Sequence, residues 1–261
     1  LCLIQRSPFF YFPPRHTMRF QHIEYHVIGE ALHSAPSLSY SDMKKASAME
    51  QHYPFFVQPL PFSYSALAPY LDSSTLFLHH GRHYPQKVKE LNHLLLQHRM
   101  SQWTLRQLLV DPLNLPPVAA WRLRDAAGCV YNHELYFSSM QPAAGPPPAN
   151  QLVKQLLTVY GSMHNFQRML TEAAQSLSGV GWVWLLWAQG SGLHLAVTRD
   201  NNVVDLSSVS PIFVIDLWEH AFYQMHFTDK EQYIDNWLTL LNWTAANQRL
   251  LLAEKDHPGG K

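Results

Sequence analysis

The sequence predicts an α+β fold in which helices come first and a small antiparallel sheet follows. Apolar and aromatic residues recur at helical spacing in 75–100 and again in 118–140. A segment rich in proline and alanine, 141–150, then marks an internal boundary, and strand-like apolar segments lie within 181–218. We therefore expect a helical N-terminal part and a C-terminal part built around the sheet.

Local signals mark the beginning and a break of the first long helix. Asp72, Ser73 and Ser74 offer N-caps for a helix that continues to about Met100. Pro85 lies inside this segment and removes a backbone donor, so we expect the helix to break or kink there.

The C-terminal half is expected to contain a β-hairpin, a third strand and two amphipathic helices. Segments 181–189 and 193–200 have strand composition, and the Gly-Ser-Gly sequence between them favours a hairpin. The sequence SPIFVIDLW at 210–218 supplies the third strand. Helices are expected at Gln151–Ala174 and Glu231–Asn247.

Composition and charge limit the classes of function. The 19 basic and 19 acidic residues give a formal net charge of zero, which argues against a broad basic surface for nucleic acid but leaves direct RNA contact open. No apolar run reaches the roughly 18–20 residues of a membrane span. The two cysteines, Cys2 and Cys129, offer no disulfide framework, which favours a reducing compartment.

Three separated segments carry a candidate set of metal ligands. His79 lies in LFLHHGRHY, His133 in VYNHELYF, and Asp216 and His220 in DLWEHAFY. Three imidazoles and one carboxylate suit a redox-active first-row metal such as iron or manganese. The spacing of four residues between His79 and His83 is also common in purely structural histidine pairs, so spacing alone leaves both interpretations open.

The order of motifs resembles that of the iron/manganese superoxide dismutases. The segments that carry the resemblance are, in order, PLPFSYSALAPYLD, TLFLHHGRHY, NHELYF, GWVWLL, DLWEHAFYQMHF and YIDNWLTLLNW, which together cover about residues 53–245. The resemblance implies a two-part fold, with an N-terminal helical hairpin and a C-terminal α/β part that contains a three-stranded antiparallel sheet. It divides the chain into an N-terminal extension (1–52), a helical hairpin domain (53–148), a C-terminal α/β domain (149–250) and a tail (251–261).

The resemblance also implies roles for individual residues. The ligands would be His79, His133, Asp216 and His220, holding one iron or manganese ion per chain that converts superoxide to oxygen and hydrogen peroxide. Further positions match an aromatic shell around the metal, namely Trp182, Trp184 and Trp218.

A second set of matching positions implies a dimer. Glu219 matches the residue that reaches the ligand histidine of the partner subunit, and His83 and Tyr223 match a pair that meets across the same interface. The resemblance implies a homodimer, or a heterodimer with a related dismutase-like chain. Candidates for a contribution to catalysis are His83, Lys87, Asn201 and Tyr223.

Two positions depart from the family pattern. Lys87 replaces a tyrosine at the mouth of the substrate channel, and an ammonium cannot substitute for a phenol in proton delivery. The outer glutamine that bonds metal-bound solvent has no counterpart: its two usual places are occupied by Asn201, or alternatively Asn202, and by Cys129. Because such outer residues tune a metal, their loss is expected to alter the redox cycle.

Two functions therefore follow from the sequence. The departures and an N-terminal extension with Arg6, Arg15 and Arg19 and no acidic residue before Glu24 favour a structural subunit of a mitochondrial assembly, namely the small subunit of the mitochondrial ribosome, in the matrix. The alternative, favoured by the complete ligand set, is an active mitochondrial iron or manganese superoxide dismutase.

Overall fold

The computed structural model describes residues 48–143 and 145–256. The N-terminal part begins with a short 3-10 turn, Ala48–Glu50, and contains a π-helical turn, His79–His83. Its α-helices are α1 (Ser73–Leu78), α2 (Tyr84–Gln97), α3 (Leu105–Val110) and α4 (Pro117–Ser138).

The C-terminal part combines one sheet with five helices in the described residues. The strands are β1 (Gly181–Ala188), β2 (Gly192–Arg199) and β3 (Ser210–Asp216). The helices are α5 (Gln151–Tyr160), α6 (Met163–Ser176), α7 (Glu219–His226), α8 (Lys230–Thr239) and α9 (Trp243–Asp256). The predicted α+β class, with a helical hairpin followed by a three-stranded antiparallel sheet, is confirmed.

The first long helix is interrupted as its proline predicts. The carboxylate of Asp72 accepts a hydrogen bond from the backbone N–H of Thr75 at 2.8 Å and caps α1. Pro85 lies in the first turn of α2, where a missing backbone N–H is tolerated. The break before it takes the form of the π-helical turn, a wider turn that often occurs at functional sites.

The sheet places its most apolar strand in the middle. Strand order is β2-β1-β3 with antiparallel pairing throughout, so β1 lies between two neighbours and is buried over Gly181–Trp187. Its register pairs Trp182 with Asp216, the last residue of β3. An indole is therefore adjacent to the carboxylate that ends the strand.

Both predicted C-terminal helices are in fact two helices each. The helix expected at Gln151–Ala174 ends at Tyr160, because Gly161 has a φ of 78° and Ser162 caps the next helix through its hydroxyl. A positive φ costs glycine little. Because apolar residues recur at helical spacing on both sides of Gly161, sequence analysis did not detect this break in the helix.

The second division has a tertiary cause. The helix expected at Glu231–Asn247 is interrupted after Thr239, since the backbone there pairs with the end of α4: Gln141 donates to the carbonyl of Leu240 and Asn242 donates to that of Ser139, both at 2.8 Å. Helix α9 then continues through residues 251–256, which had been expected to belong to the tail.

One arginine links the end of α4 to the sheet. The guanidinium of Arg249, on α9, donates to the hydroxyls of Ser138 and Ser139 and to the carbonyl of Ile212 in β3. The three elements are therefore fixed relative to one another beside the strand that carries Asp216.

Some of the sequence predictions concern the ends of the chain and its division into segments. Residues 1–47 of the expected extension lie outside the described residues, and the division into four segments stays a prediction. Among the helices of 48–143 and 145–256, none is both long and apolar enough to cross a membrane.

The close approach of two backbones at Gly128 leads to a first prediction. A Cβ added to Gly128, in the middle of α4, would lie 2.2 Å from the carbonyl oxygen of Asn201. Alanine normally favours a helix interior by about 1 kcal/mol over glycine. Here we expect the opposite sign, with Gly128→Ala lowering the free energy of unfolding by about 1–3 kcal/mol, as overpacking does. Urea denaturation measures this change in the free energy of unfolding.

The matched control is Ala119→Gly in the same helix, where only helix propensity changes and the loss is at most about 1 kcal/mol. A Gly128→Ala protein as stable as the parent would contradict the close packing of α4 against residues 199–203.

Candidate metal centre

Four side-chain atoms from four different elements converge on one point. Asp216 ends β3, His79 begins the π-helical turn, His133 lies in α4 and His220 lies in the first turn of α7. Oδ2 of Asp216 is 3.2 Å from Nε2 of His79, 3.4 Å from that of His220 and 3.8 Å from that of His133. Sequence analysis selected these four residues, and the structure brings all of them together within 4.8 Å.

These four atoms share an unusual property. They are buried, and none of them has a hydrogen-bond partner in the part of the chain that the structure describes. Leaving buried polar atoms without partners is costly, whereas a cation between them would satisfy all four. The donor set, three imidazole nitrogens and one carboxylate oxygen, suits iron or manganese. The residues present therefore fit the metal that the sequence predicts.

Hydrogen bonds to backbone groups orient two of the ligands toward the centre. Nδ1 of His133 donates to the carbonyl of Cys129 at 2.7 Å, so its Nε2 carries the lone pair that faces Asp216. Oδ1 of Asp216 accepts a hydrogen bond from the backbone N–H of Trp218 at 2.7 Å, which leaves Oδ2 directed at the histidines.

Electrostatics keeps the ligands in the forms that bind metal. Burial alone would raise the pKa of Asp216, but the adjacent imidazoles of His220 and His79 favour its ionised form, and the pKa falls below its usual range. Burial lowers the pKa of His79 and of His133. An ionised carboxylate and neutral imidazoles are therefore favoured near neutral pH.

Aromatic rings surround the cluster. Tyr136 and Phe137 lie 5.2 and 4.9 Å from the ring of His79, and Trp182 lies 5.1 Å from that of His133. Oriented with its oxygen toward the indole, Asn132 accepts a hydrogen bond from Trp182 at 3.0 Å. These rings wall off the inner side of the site.

The other two predicted shell tryptophans differ from each other. Trp218 lies beside His220, with ring centroids 5.9 Å apart, as expected for a shell residue. Trp184 is fully buried in β1 and donates to the hydroxyl of Thr198 at 2.9 Å, a contact that belongs to the sheet.

Two predicted catalytic candidates, His83 and Lys87, are partly exposed and follow His79 along the chain. The ring of His83 stacks on that of His220, with centroids 4.1 Å apart, and burial lowers the pKa of His83 to about 4. Lys87 is half-buried and pairs with Glu90 at 3.1 Å. Its positive charge also contributes to keeping His83 neutral.

The positions aligned with the outer glutamine have different environments. The amide of Asn201 donates to Asp125 at 3.0 Å and is thereby engaged outside the four-atom cluster. Asn202 is exposed. Sγ of Cys129 lies 3.5 Å from Nδ1 of His133, so the thiol is the nearer of these groups to a ligand.

The predicted interface residues of α7 lie on the surface of the single chain. Glu219 is exposed, and Tyr223 is 49% exposed, close to the ring of Phe227. Helix α1, which packs on α7, exposes Phe77 and Leu78. His220 itself retains 25% of its side-chain exposure.

Sequence analysis missed one buried polar pair at the site. The hydroxyl of Tyr84 donates to Glu134 at 3.0 Å, and the Tyr84 ring stacks on that of His133 with centroids 5.8 Å apart. Burial raises the pKa of Glu134 to about 7. The only signal in the sequence was an acidic residue directly after a ligand histidine, in a part of the helix that is rich in apolar residues.

Comparison with known proteins agrees with the geometry. Residues 54–141 match the family model of the α-hairpin domain of iron/manganese superoxide dismutases, and residues 148–249 match that of their C-terminal domain. Manganese superoxide dismutase 1 of Leptolyngbya boryana is 31% identical over 225 residues, which are 85% of this chain and 86% of the relative.

Relatives are named for either metal. Chloroplastic iron superoxide dismutase 3 of Arabidopsis thaliana is 32% identical, over 79% of this chain and 78% of its own length. Manganese superoxide dismutase 2 of Bacillus anthracis is 30% identical, over 76% of this chain and 96% of its own length. With both domains matched and the four-residue cluster assembled, the chain belongs to the iron/manganese superoxide dismutase family.

Proposed function

We propose that this chain is a superoxide dismutase whose iron or manganese ion is held by His79, His133, Asp216 and His220. One observation carries the proposal: four buried ligand atoms converge within 4.8 Å and have no hydrogen-bond partner among the described residues. When bound, the metal supplies one-electron chemistry, accepting an electron from one superoxide ion and returning it to another, so that oxygen and, with two protons, hydrogen peroxide are formed.

The protein's own side chains set the charge of the metal centre and the access of substrate to it. The single carboxylate of Asp216 offsets one positive charge and leaves the centre cationic, which favours an anionic substrate. Tyr136, Phe137 and Trp182 pack against the ligand histidines and exclude water there, whereas His83 and His220 are partly exposed and leave a path for a small anion. Lys87 adds a positive charge on this path and attracts anions toward it.

Loss of one ligand tests the proposal directly. We expect His79→Ala to abolish bound iron and manganese, measured by elemental analysis, and superoxide dismutation in the same sample. Because an ion present at a thousandfold excess over its Kd stabilises the folded state by about 4 kcal/mol, the variant should also unfold at a lower temperature. The control is His93→Ala, an exposed histidine on α2.

If His79→Ala changes neither metal content nor thermal stability, the four-residue cluster is not a metal site. Bound metal without turnover in the parent protein would retain the site but exclude the enzyme.

We further propose that two such chains, identical or related, associate through the exposed face formed by Phe77, Leu78, Tyr223 and Phe227. Large apolar side chains are clustered there beside the partly exposed His220. Glu219 lies on the same helix, and within the described ranges no ion pair is found for it. A partner would cover the apolar residues and complete the enclosure of the site.

A charge on this face should separate the subunits. We expect Tyr223→Glu to convert a dimer to a monomer in analytical ultracentrifugation, because association would bury the new carboxylate without a partner. Val159→Glu is the matched control, since Val159 is similarly exposed, at 51%, on α5. A parent protein that sediments as a monomer at micromolar concentration would overturn the proposed association.

A structural role in a mitochondrial assembly, the small subunit of the mitochondrial ribosome, is the second candidate. Two observations favour it: Lys87 pairs with Glu90, and the amide of Asn201 is bonded to Asp125. Side chains that would tune a redox centre are thus engaged elsewhere. The arginine-rich N-terminus that motivates a location in the matrix lies outside the described residues.

Sedimentation distinguishes the two candidates in the cell. If the chain is a ribosomal subunit, the tagged protein in mitochondrial extract should cosediment with small ribosomal subunits and leave those fractions only when they are dissociated. Recovery as a free particle of about twice the chain mass, with dismutase activity, would exclude the structural candidate.

A further inference from the structure

A second group of possible metal ligands adjoins the first. His83, Cys129 and His133 each place a ligand atom within 4.8 Å of the others. We propose that Cys129 and His83 form a second metal position, selective for thiophilic ions such as Zn²⁺ or Cd²⁺. It shares His133 with the four-residue cluster, and so competes with iron or manganese for the chain.

The geometry brings this thiol and this imidazole together from two elements. Cys129 lies one turn before His133 on α4, and its Sγ is 3.5 Å from Nδ1 of that histidine. His83 ends the π-helical turn, and its ring centroid lies 5.3 Å from that of His133. The three groups therefore lie close enough together to hold one ion between them.

Within the described ranges, His83 and Cys129 form no side-chain hydrogen bond outside this group of three residues. Within the described ranges the ring nitrogens of His83 make no hydrogen bond; its contacts are ring contacts with histidines. The Cys129 side chain is 1% exposed, and its hydrogen-bonding contact is with His133. Nε2 of His133, also buried, has no partner.

The donor set differs in kind from that of the first site. A thiolate with imidazoles favours zinc and other thiophilic ions, whereas three imidazoles with a carboxylate suit iron or manganese. Binding replaces the thiol proton: the S–H bond breaks, a sulfur–metal bond forms and the proton leaves to solvent, with no change of oxidation state. Burial raises the pKa of the Cys129 thiol, so the ion must compete with that proton.

Charges around the second position oppose each other. The ammonium of Lys87 acts on Cys129 and favours its thiolate form, but it also repels an incoming cation. The nearby carboxylates of Asp125 and Glu90 reduce this repulsion, and Glu90 is directly paired with Lys87. With one ammonium opposed by two carboxylates, the charges around His83 and Cys129 do not by themselves exclude a divalent ion.

Competition follows from the shared histidine. Nδ1 of His133 donates to the carbonyl of Cys129, and Nε2 faces Asp216. An ion that uses Nε2 takes a ligand from the four-residue cluster, and one that uses Nδ1 breaks the hydrogen bond that orients the ring. Occupation of one position therefore weakens the other. This step rests on the proposed assignment of the four-residue cluster to a metal.

Cadmium titration of the full-length, metal-depleted protein tests the second position. We expect an ultraviolet thiolate-to-cadmium band that saturates at one ion per chain and is lost in Cys129→Ser. The matched control is Cys2→Ser, which removes the other cysteine of the sequence and should retain the band. Circular dichroism verifies the fold, and Cys129→Ala provides a second variant. A band that persists in folded Cys129→Ser, or disappears in Cys2→Ser, overturns the proposal.

Zinc competition tests the shared ligand. We expect prior loading with Zn²⁺ to reduce Mn²⁺ uptake at least several-fold in the parent protein and much less in Cys129→Ser. Zinc and manganese bound together, one each per chain, would overturn the competition. Failure of dismutation alone leaves the cadmium result unaffected, so loss of the proposed enzyme and loss of this site are distinguishable.

Discussion

The carboxylate of Asp216 is fully buried, and one of its oxygens faces three imidazole nitrogens. An anion in that position is strongly disfavoured without compensating positive charge. His79 and His133 are neutral donors of lone pairs in the forms that burial favours, so they do not provide that charge. A bound cation resolves the conflict, and the arrangement of the surrounding elements follows from this requirement.

Contacts outside the cluster position the elements that carry its ligands. Strand β3 ends at Asp216 and is paired with the buried central strand. Arg249 joins β3 to the end of α4, which carries His133. Gly128 allows the loop around Asn201 to approach α4 closely. These contacts lie outside the cluster and join the elements that carry its ligands.

Several polar groups around the cluster pair with one another and not with the four ligands. Lys87 forms an ion pair with Glu90. Asn201 donates a hydrogen bond to Asp125, and Tyr84 donates one to the buried Glu134. None of these contacts changes the four ligands. They set the charge and the neighbouring donor groups around the ligands.

The sequence alone determined the class of fold and the position of the break near Pro85, because these depend on local periodicity. It selected the four candidate ligands through their residue types and the resemblance of the motifs that carry them to a known family. Only the tertiary structure decided the rest. The helix break at Leu240 requires backbone pairing with the end of α4, and the Tyr84–Glu134 contact joins residues 50 positions apart. The approach of Cys129 to His83 likewise depends on how α4 packs against the π-helical turn. Such contacts between distant segments leave no periodic signal in the sequence.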